Sequence, residues 1–250
     1  MVGSFLNVCI LRLPKEESIV FPPSHCTSCK KTIAPYDNIP VLSFLILGAR
    51  CRQCKAPISW QYPIIEAITG ALFVIFYLMF GMTPKGFLFL YLTLSMLVQF
   101  VIDMRYRIIP DSTTLPVMVI GLILSAAFPA IHNESAHWSG FLTSLKGLLL
   151  GGGFLWLVGT VAEKILKKEA MGGGDVKLLA AIGSVIGWQG VIWTIFVSSL
   201  LGSIVGIYNK IRGEGDGYIP YGPFLGMAAF LYFFVGPQAI QWYFGFLRSV

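Results

Sequence analysis

The sequence predicts an all-α protein that crosses a membrane several times and carries a small cysteine-bearing loop domain. Hydrophobic residues make up 56% of the 250 positions and charged residues only 12%, and the mean hydropathy is +0.75. These values lie outside the range of ordinary soluble domains. The apolar residues also cluster into runs near the length of about 20 residues that a helix needs to cross a bilayer.

About eight apolar segments are predicted to enter the membrane. The first, residues 1–11, is shorter than the roughly 20 residues of a spanning helix, so we expect residues 1–12 to form a partial first membrane segment. A polar module is expected at residues 13–59 and the transmembrane core at residues 60–250. The other seven segments are residues 62–80, 87–102, 114–130, 141–162, 176–186, 191–208 and 224–244.

The basic residues indicate how these segments are oriented. A net charge of +6 also occurs in nucleic-acid-binding proteins, but here the basic residues lie in short loops between apolar runs, so no nucleic-acid partner is expected. Cytoplasmic loops of membrane proteins are enriched in Lys and Arg. We therefore place the loop from Arg12 to Lys55 inside, which leaves only Lys85, Lys146 and Arg248 outside.

Four of the five cysteines form two Cys-x-x-Cys pairs, Cys26/Cys29 and Cys51/Cys54. Four thiolates at this spacing can close a tetrahedral zinc site and stabilise a module too small to bury its own core. The alternatives are a redox pair or disulfides, but a cytosolic loop is kept reducing. We predict a structural zinc ion bound by these four cysteines.

Two aspartates, Asp103 and Asp175, are predicted to be catalytic. Each lies where an apolar segment meets the cytoplasmic face, and an ionisable group there is costly enough to indicate function. Two carboxylates held close together do not both ionise, so one can accept a proton from water while the other donates one, as in an aspartic protease. An ion pair with Arg107 is the simpler alternative for Asp103.

Three consecutive glycines, Gly172, Gly173 and Gly174, precede Asp175. Because glycines let a backbone come close to an extended substrate, we predict that they form a substrate-approach loop. A helix cap and a phosphate-binding nest are the alternatives, although the Lys-Ser/Thr ending of a nucleotide loop is missing.

Three further features have predicted roles. Glu66, one turn into the second apolar segment, is a candidate for a second site, with a helix-dipole contact as the alternative. Asp111 is predicted to cap the fourth segment. Glycines that recur four residues apart predict close helix packing at Gly147/Gly151 and Gly183/Gly187.

The order of the motifs resembles that of the bacterial type IV prepilin leader peptidases, which belong with the GxGD intramembrane aspartic proteases. The resemblance covers nearly the whole chain. In order, the matching stretches are Gly3-Ser-Phe-Leu-Asn-Val8, Arg12-Leu-Pro14, the two Cys-x-x-Cys pairs, Tyr62-Pro-Ile-Ile-Glu66, Asp103 with Pro110, Met171-Gly-Gly-Gly-Asp175-Val-Lys177 and Pro220-Tyr-Gly-Pro-Phe224. Family members usually have more apolar residues before the first of these stretches, so we expect the first membrane segment to be incomplete.

This resemblance implies that Asp103 and Asp175 are the catalytic pair. The implied substrate is the short basic leader of a type IV pilin or a type II secretion pseudopilin, cut after a glycine at the cytoplasmic face of the bacterial inner membrane. Many members also methylate the new N-terminus with S-adenosylmethionine as methyl donor. We assign Glu66, beside the cysteine module, to that methyl transfer.

Other classes of protein fit the sequence less well. A membrane zinc protease needs His-Glu-x-x-His, which is absent, and a serine protease needs a histidine in the membrane, whereas His132 and His137 fall in an outside loop. The alternative outside the enzymes is a transporter or an assembly scaffold in which Asp103 and Asp175 bind ions. Its expected mark, inverted repeats with interrupted helices, is not evident.

Overall fold

The computed structural model describes residues 1–167, 171–213 and 220–249. Lys168, one of the basic residues predicted to lie inside, is outside the described residues. Eight helices are present in the described part of the chain, joined by loops with short 3₁₀ turns. They are α1 (Val2–Arg12), α2 (Leu42–Ile46), α3 (Gln61–Phe80), α4 (Pro84–Tyr106), α5 (Asp111–Ala127), α6 (His137–Leu166), α7 (Gly173–Arg212) and α8 (Gly222–Ser249).

The predicted all-α membrane class is confirmed, but the count of eight spanning segments is not. Five helices within the described residues, α3, α4, α6, α7 and α8, are long and apolar enough to cross a membrane. Helix α1 has 11 residues and α5 has 17. The sixth and the seventh predicted segments both lie within α7, on either side of a non-helical residue, Gly187.

The chain divides into two units, Met1–Gly86 and Phe87–Val250. In the first unit, α1 packs on α3 so closely that a Cβ on Gly3 would lie 2.8 Å from the Cα of Glu66. The buried Asn7 side chain donates to the carbonyl oxygens of Gly3 and Tyr62 at 3.3 and 3.2 Å. A polar side chain in an apolar helix pair is stable only when it is bonded in this way. The predicted boundaries at residues 12 and 59 stay a prediction.

In the second unit, the helix pair with the most extensive contact is α6 with α7. Close approach is possible because Gly147 and Gly183 face each other, and a Cβ on either would overlap the backbone carbonyl oxygen of the other. One turn further along α6, a Cβ on Gly151 would lie 2.5 Å from the carbonyl oxygen of Leu179. The prediction of close packing at these glycines is therefore confirmed.

Helix α7 turns back on itself at Gly187, whose φ of 73° and ψ of 177° are not helical. A Cβ on Gly183 would lie 2.8 Å from the Cγ2 of Val191, although eight residues of straight helix span about 12 Å. Residues 173–186 and 188–212 thus form two antiparallel segments. The positive φ explains why glycine is needed at this position.

Replacing Gly147 with alanine is expected to weaken the second unit by about 1–3 kcal/mol, because the new methyl group overlaps backbone that has no free space to move into. Gly153→Ala, on the same helix, is the matched control, since nothing lies within 4 Å of its Cβ position. Thermal unfolding of the detergent-solubilised variants measures the difference. Equal unfolding temperatures would contradict the close packing of α6 on α7.

Candidate active site and metal centre

Asp103 lies in the last turn of α4 and is 6% exposed. The helix ends three residues later at Tyr106, where Arg107 takes a left-handed conformation with φ 56°. The Arg107 backbone N–H donates to the carbonyl oxygen of Asp103 at 2.9 Å. This cap fixes the end of α4 and therefore the depth at which the carboxylate lies.

Asp175 is the third residue of α7 and is 8% exposed. Gly172 before it is extended, with φ −68° and ψ 132°, and its carbonyl oxygen accepts the Asp175 backbone N–H at 3.1 Å. The first turn of a helix favours negative charge because its N–H groups point toward the helix start. The Asp175 carboxylate is therefore buried at an end of a helix that partly compensates its charge.

The two carboxylates lie beside each other next to the first residue of α8. A Cβ on Gly222 would lie 2.8 Å from Asp103 Oδ2 and 3.3 Å from Asp175 Oδ1, so these two oxygens are at most about 6 Å apart. Both line a cleft of about 250 Å³. The other lining residues are Arg107, Ile108, Ile109, Gly172, Gly173, Gly174, Pro220 and Tyr221.

Ile109 forms one wall of this cleft, between two glycines. A Cβ on Gly174 would lie 2.9 Å from the Ile109 Cβ, and a Cβ on Gly222 would lie 2.9 Å from its Cδ1. In the part of the chain that the structure describes, nothing lies within 4 Å of a Cβ on Gly173. Gly174 thus allows close packing on Ile109, and Gly173 leaves an open edge of the cleft. The sequence carried no signal that Ile109 is the residue against which Gly174 packs.

The prediction that Asp111 caps α5 is wrong. Its side chain makes no capping hydrogen bond, and both of its oxygens accept from Lys177 Nζ, at 2.7 and 2.8 Å. This exposed ion pair joins the start of α5 to the first turns of α7, two residues after Asp175. The sequence missed it because the two residues are 66 positions apart.

Tyr221 connects the cleft to a larger and mainly apolar cavity of about 470 Å³. Its hydroxyl group hydrogen-bonds to Ser198 Oγ at 2.7 Å. Met171, which precedes α7, and Gly202, in its second segment, line this same cavity. Both can do so because α7 turns back, whereas a straight helix would separate them by about 46 Å.

The four cysteines form a cluster in the first unit. Their Sγ atoms all lie within 4.8 Å of one another, and Cys26 and Cys54 are 3.8 Å apart at sulfur. All four are free thiols. A set of four sulfur ligands in this arrangement can hold a metal ion, as the spacing predicted.

The two Cys-x-x-Cys turns have the same local fold. In each turn the lysine after the second cysteine, Lys30 or Lys55, is left-handed with φ 59°. Lys30 N–H donates to the Cys26 carbonyl oxygen at 2.9 Å, and Lys55 N–H donates to that of Cys51 at 3.0 Å. The backbone N–H groups of Cys29 and Ser28 point at the first thiol and lower the pKa of Cys26 to about 6. The thiolate, which is the form that binds metal, is thereby favoured.

Glu66 is half-buried on α3, and its carboxylate has a structural partner. Its Oε2 accepts the backbone N–H of Val41 at 2.8 Å. Val41 has φ 61°, which is strained for a β-branched residue. This hydrogen bond stabilises the start of α2. The sequence did not predict it, because the two residues are 25 positions apart and no motif marks Val41.

The site residues therefore form two groups. Asp103, Asp175 and the three glycines Gly172, Gly173 and Gly174 come together in the second unit. Glu66 and the four cysteines belong to the first unit.

Two family models match the chain, one in each of the two units. A family model described as the bacterial peptidase A24 N-terminal domain matches residues 1–80, and one described as the type IV leader peptidase family matches residues 89–207. The prepilin leader peptidase/N-methyltransferase of Pseudomonas aeruginosa is 34% identical over 275 residues, 98% of this chain and 91% of the relative. The Legionella pneumophila protein of the same name is 35% identical over 271 residues, again 98% of this chain and 91% of the relative.

A third relative, also named prepilin leader peptidase/N-methyltransferase, comes from Myxococcus xanthus. It is 38% identical over 206 residues, 82% of this chain and 59% of the relative. No solved structure gives a significant match. The similarity to these relatives over nearly its whole length shows that the chain belongs to the type IV leader peptidase family.

Proposed function

We propose that this protein cleaves the short basic leader of prepilins or type II secretion pseudopilins at the cytoplasmic face of the bacterial inner membrane. The observation that supports this activity most directly is the pair of buried carboxylates, Asp103 and Asp175. Their Oδ2 and Oδ1 atoms, respectively, are at most about 6 Å apart. Relatives named for prepilin leader cleavage support the substrate class.

The chemistry is the hydrolysis of one peptide bond by a coupled pair of acids. One aspartate, as carboxylate, takes a proton from water while the water oxygen attacks the scissile carbonyl carbon. The other aspartate, protonated, gives its proton to the carbonyl oxygen. The amide nitrogen then takes the first proton from the first aspartate and the carbon–nitrogen bond breaks. One of the two hydroxyl groups on the carbon returns its proton to the second aspartate, which leaves a carboxyl group and a free amine and restores the pair. The pair shares these roles as one titrating unit.

The surroundings of the pair suit an extended substrate attached to an apolar helix. Among the described residues, no side chain lies within 4 Å of the Gly173 Cβ position, so a substrate backbone can approach at this edge of the cleft. The apolar cavity of about 470 Å³ that shares Tyr221 with the cleft can take part of the apolar helix that follows the leader. The carboxylates also attract the basic leader.

A second proposed activity is methylation of the new N-terminus with S-adenosylmethionine as methyl donor. The names of the relatives support it, and Glu66 is the residue we assign to it. Glu66 belongs to the same unit as the cysteine cluster and lies at the start of a candidate membrane helix. S-adenosylmethionine supplies the methyl group, and a carboxylate can hold the amine that receives it.

The metal that we assign to the four cysteines is zinc. In a tetrahedral site with zinc–sulfur bonds of about 2.3 Å, the sulfur atoms are about 3.8 Å apart, and this is the distance between Cys26 and Cys54. A salt bridge outside the cysteine cluster also holds the module together: Arg52 of the second turn makes a bidentate pair with Asp37 at 2.6 and 2.8 Å. Zinc would stabilise the loop without taking part in the cleavage.

Membership of the type IV leader peptidase family favours an enzyme over the transporter or assembly scaffold with ion-binding aspartates that the sequence analysis considered. Cleavage of a precursor by the purified protein separates the two functions directly.

Asp103→Asn and Asp175→Asn are each expected to lower cleavage to a few per cent or less of the wild-type rate, because asparagine keeps the shape but neither accepts nor donates the proton. The measurement is cleavage of a model precursor by equal amounts of each purified protein, together with the amount of each variant that accumulates in the membrane. Asp111→Asn is the control, and it should retain most activity, because an exposed ion pair contributes only about 0–1 kcal/mol. A cleaving Asp103→Asn or Asp175→Asn variant would refute the catalytic pair.

Purified protein is expected to carry about one zinc ion per chain, because four thiolates bind zinc with a free energy that also stabilises the fold. Cys26→Ser and Cys54→Ser should lose the metal and leave the loop more open to proteolysis. Elemental analysis measures the zinc. The Cys9→Ser variant is the control, and a metal content that does not differ between Cys9→Ser and Cys26→Ser would contradict the site.

Glu66→Gln is expected to cut normally and methylate poorly. Glutamine keeps an oxygen that can accept the Val41 N–H, so the variant removes the charge and spares the structural hydrogen bond. Asp103→Asn, in contrast, should still methylate a pilin that has already been cut. Separate assays with cut and uncut substrate measure the two activities, and an equal loss of both in Glu66→Gln would indicate a folding defect and contradict the assignment.

A further inference from the structure

Gly222, the first residue of α8, lies against both aspartates. Its Cβ position is 2.8 Å from Asp103 Oδ2, 2.9 Å from Ile109 Cδ1 and 3.3 Å from Asp175 Oδ1. All three neighbours are ends of side chains, and two of them are carboxylate oxygens that the proposed chemistry uses. No other described glycine has both carboxylates among the three atoms nearest to its Cβ position.

Backbone conformation does not require glycine at this position. The described glycines with positive φ are Gly48, Gly81, Gly187 and Gly213, and Gly222 is not among them. Alanine is the better helix former by about 1 kcal/mol within a helix, so local stability favours a side chain here. The remaining reason for glycine is the space that a methyl group would fill.

We propose that Gly222 is a positioning residue for peptide hydrolysis, because its missing side chain lets the Asp103 and Asp175 carboxylates lie directly against the backbone at the start of α8. A methyl group at Gly222 would occupy the place that the Asp103 carboxylate now takes. The proposal rests on the assignment of the two aspartates as the catalytic pair.

A methyl group at Gly222 would displace the side chains beside it. Contacts of 2.8 and 2.9 Å are too short for carbon, so the side chains of Asp103 and Ile109 must move away. Both are free ends of side chains, so the helices can stay in place while the carboxylate shifts. A misplacement of about 1 Å at a reacting group lowers the rate by about 100-fold, whereas substrate binding along the apolar cavity is left unchanged.

The test compares Gly222→Ala with Gly226→Ala, one turn further along α8. Gly226 is a matched control because its Cβ position has ordinary contact, 3.8 Å from the Met96 Cβ. With a fluorescent model precursor, Gly222→Ala is expected to lower kcat by about 100-fold with KM within about twofold of wild type. Gly226→Ala should keep both constants within about twofold, and both variants should unfold at the wild-type temperature.

The Ile109→Ala background separates this role from simple crowding of the wall. Truncating Ile109 removes the contact with its Cδ1 but leaves the contacts with both carboxylates. Adding Gly222→Ala to Ile109→Ala should therefore still lower kcat by about 100-fold. If the second substitution caused no further loss, Gly222 would be a packing residue only and the proposal would be wrong.

The remaining outcomes also decide the matter. Full cleavage by Gly222→Ala overturns the proposal while the catalytic pair stands. Failure of Gly222→Ala to accumulate in the membrane, when Gly226→Ala does accumulate, assigns Gly222 to folding and overturns it as well. Cleavage by Asp103→Asn would refute the catalytic pair and this proposal together, and is thus distinct from a failure at Gly222 alone.

Discussion

Two carboxylates buried side by side are the constraint on which the second unit depends. Asp103 and Asp175 are each less than one-tenth exposed, and burying charge among apolar helices is costly unless other groups compensate it. Asp175 lies in the first turn of α7, where the helix dipole favours negative charge, whereas Asp103 lies in the last turn of α4, where the dipole disfavours it. Because like charges at this distance resist joint ionisation, the arrangement favours one shared proton, which is the state that hydrolysis needs.

Backbone contact between helices keeps the pair in place. The approach of α6 and α7 at Gly147 and Gly183 leaves almost no freedom for α7 to slide or rotate, so the depth of Asp175 is fixed. The turn at Gly187 then returns the second segment of α7 toward the cleft, where Ser198 bonds to Tyr221 beside Gly222. Small residues thus determine the position of the carboxylates, and large apolar side chains fill the space around them.

The sequence predicted the features that depend on local chemistry. Spacing alone identified the four cysteines, and the positions of Asp103 and Asp175 near helix ends, where they line one cleft, were inferred from apolar runs and basic loops. Contacts between distant positions were missed, because no local pattern reports them: Ile109 between two glycines, Lys177 with Asp111, and Val41 with Glu66. The turn at Gly187 falls between the sixth and seventh predicted segments, residues 176–186 and 191–208, but the sequence did not identify Gly187 as the residue that makes it.

Helix length in the second unit has a consequence for the lipid around it. Helix α5 has 17 residues, about 26 Å, and the first segment of α7, residues 173–186, is about 21 Å long, at 1.5 Å per residue. Both are shorter than a hydrocarbon core of about 30 Å, and α5 exposes Leu115, Val119 and Ile123 on one face. A helix this short is accommodated in a bilayer by local thinning, by flanking side chains that reach the interface or by association with other helices.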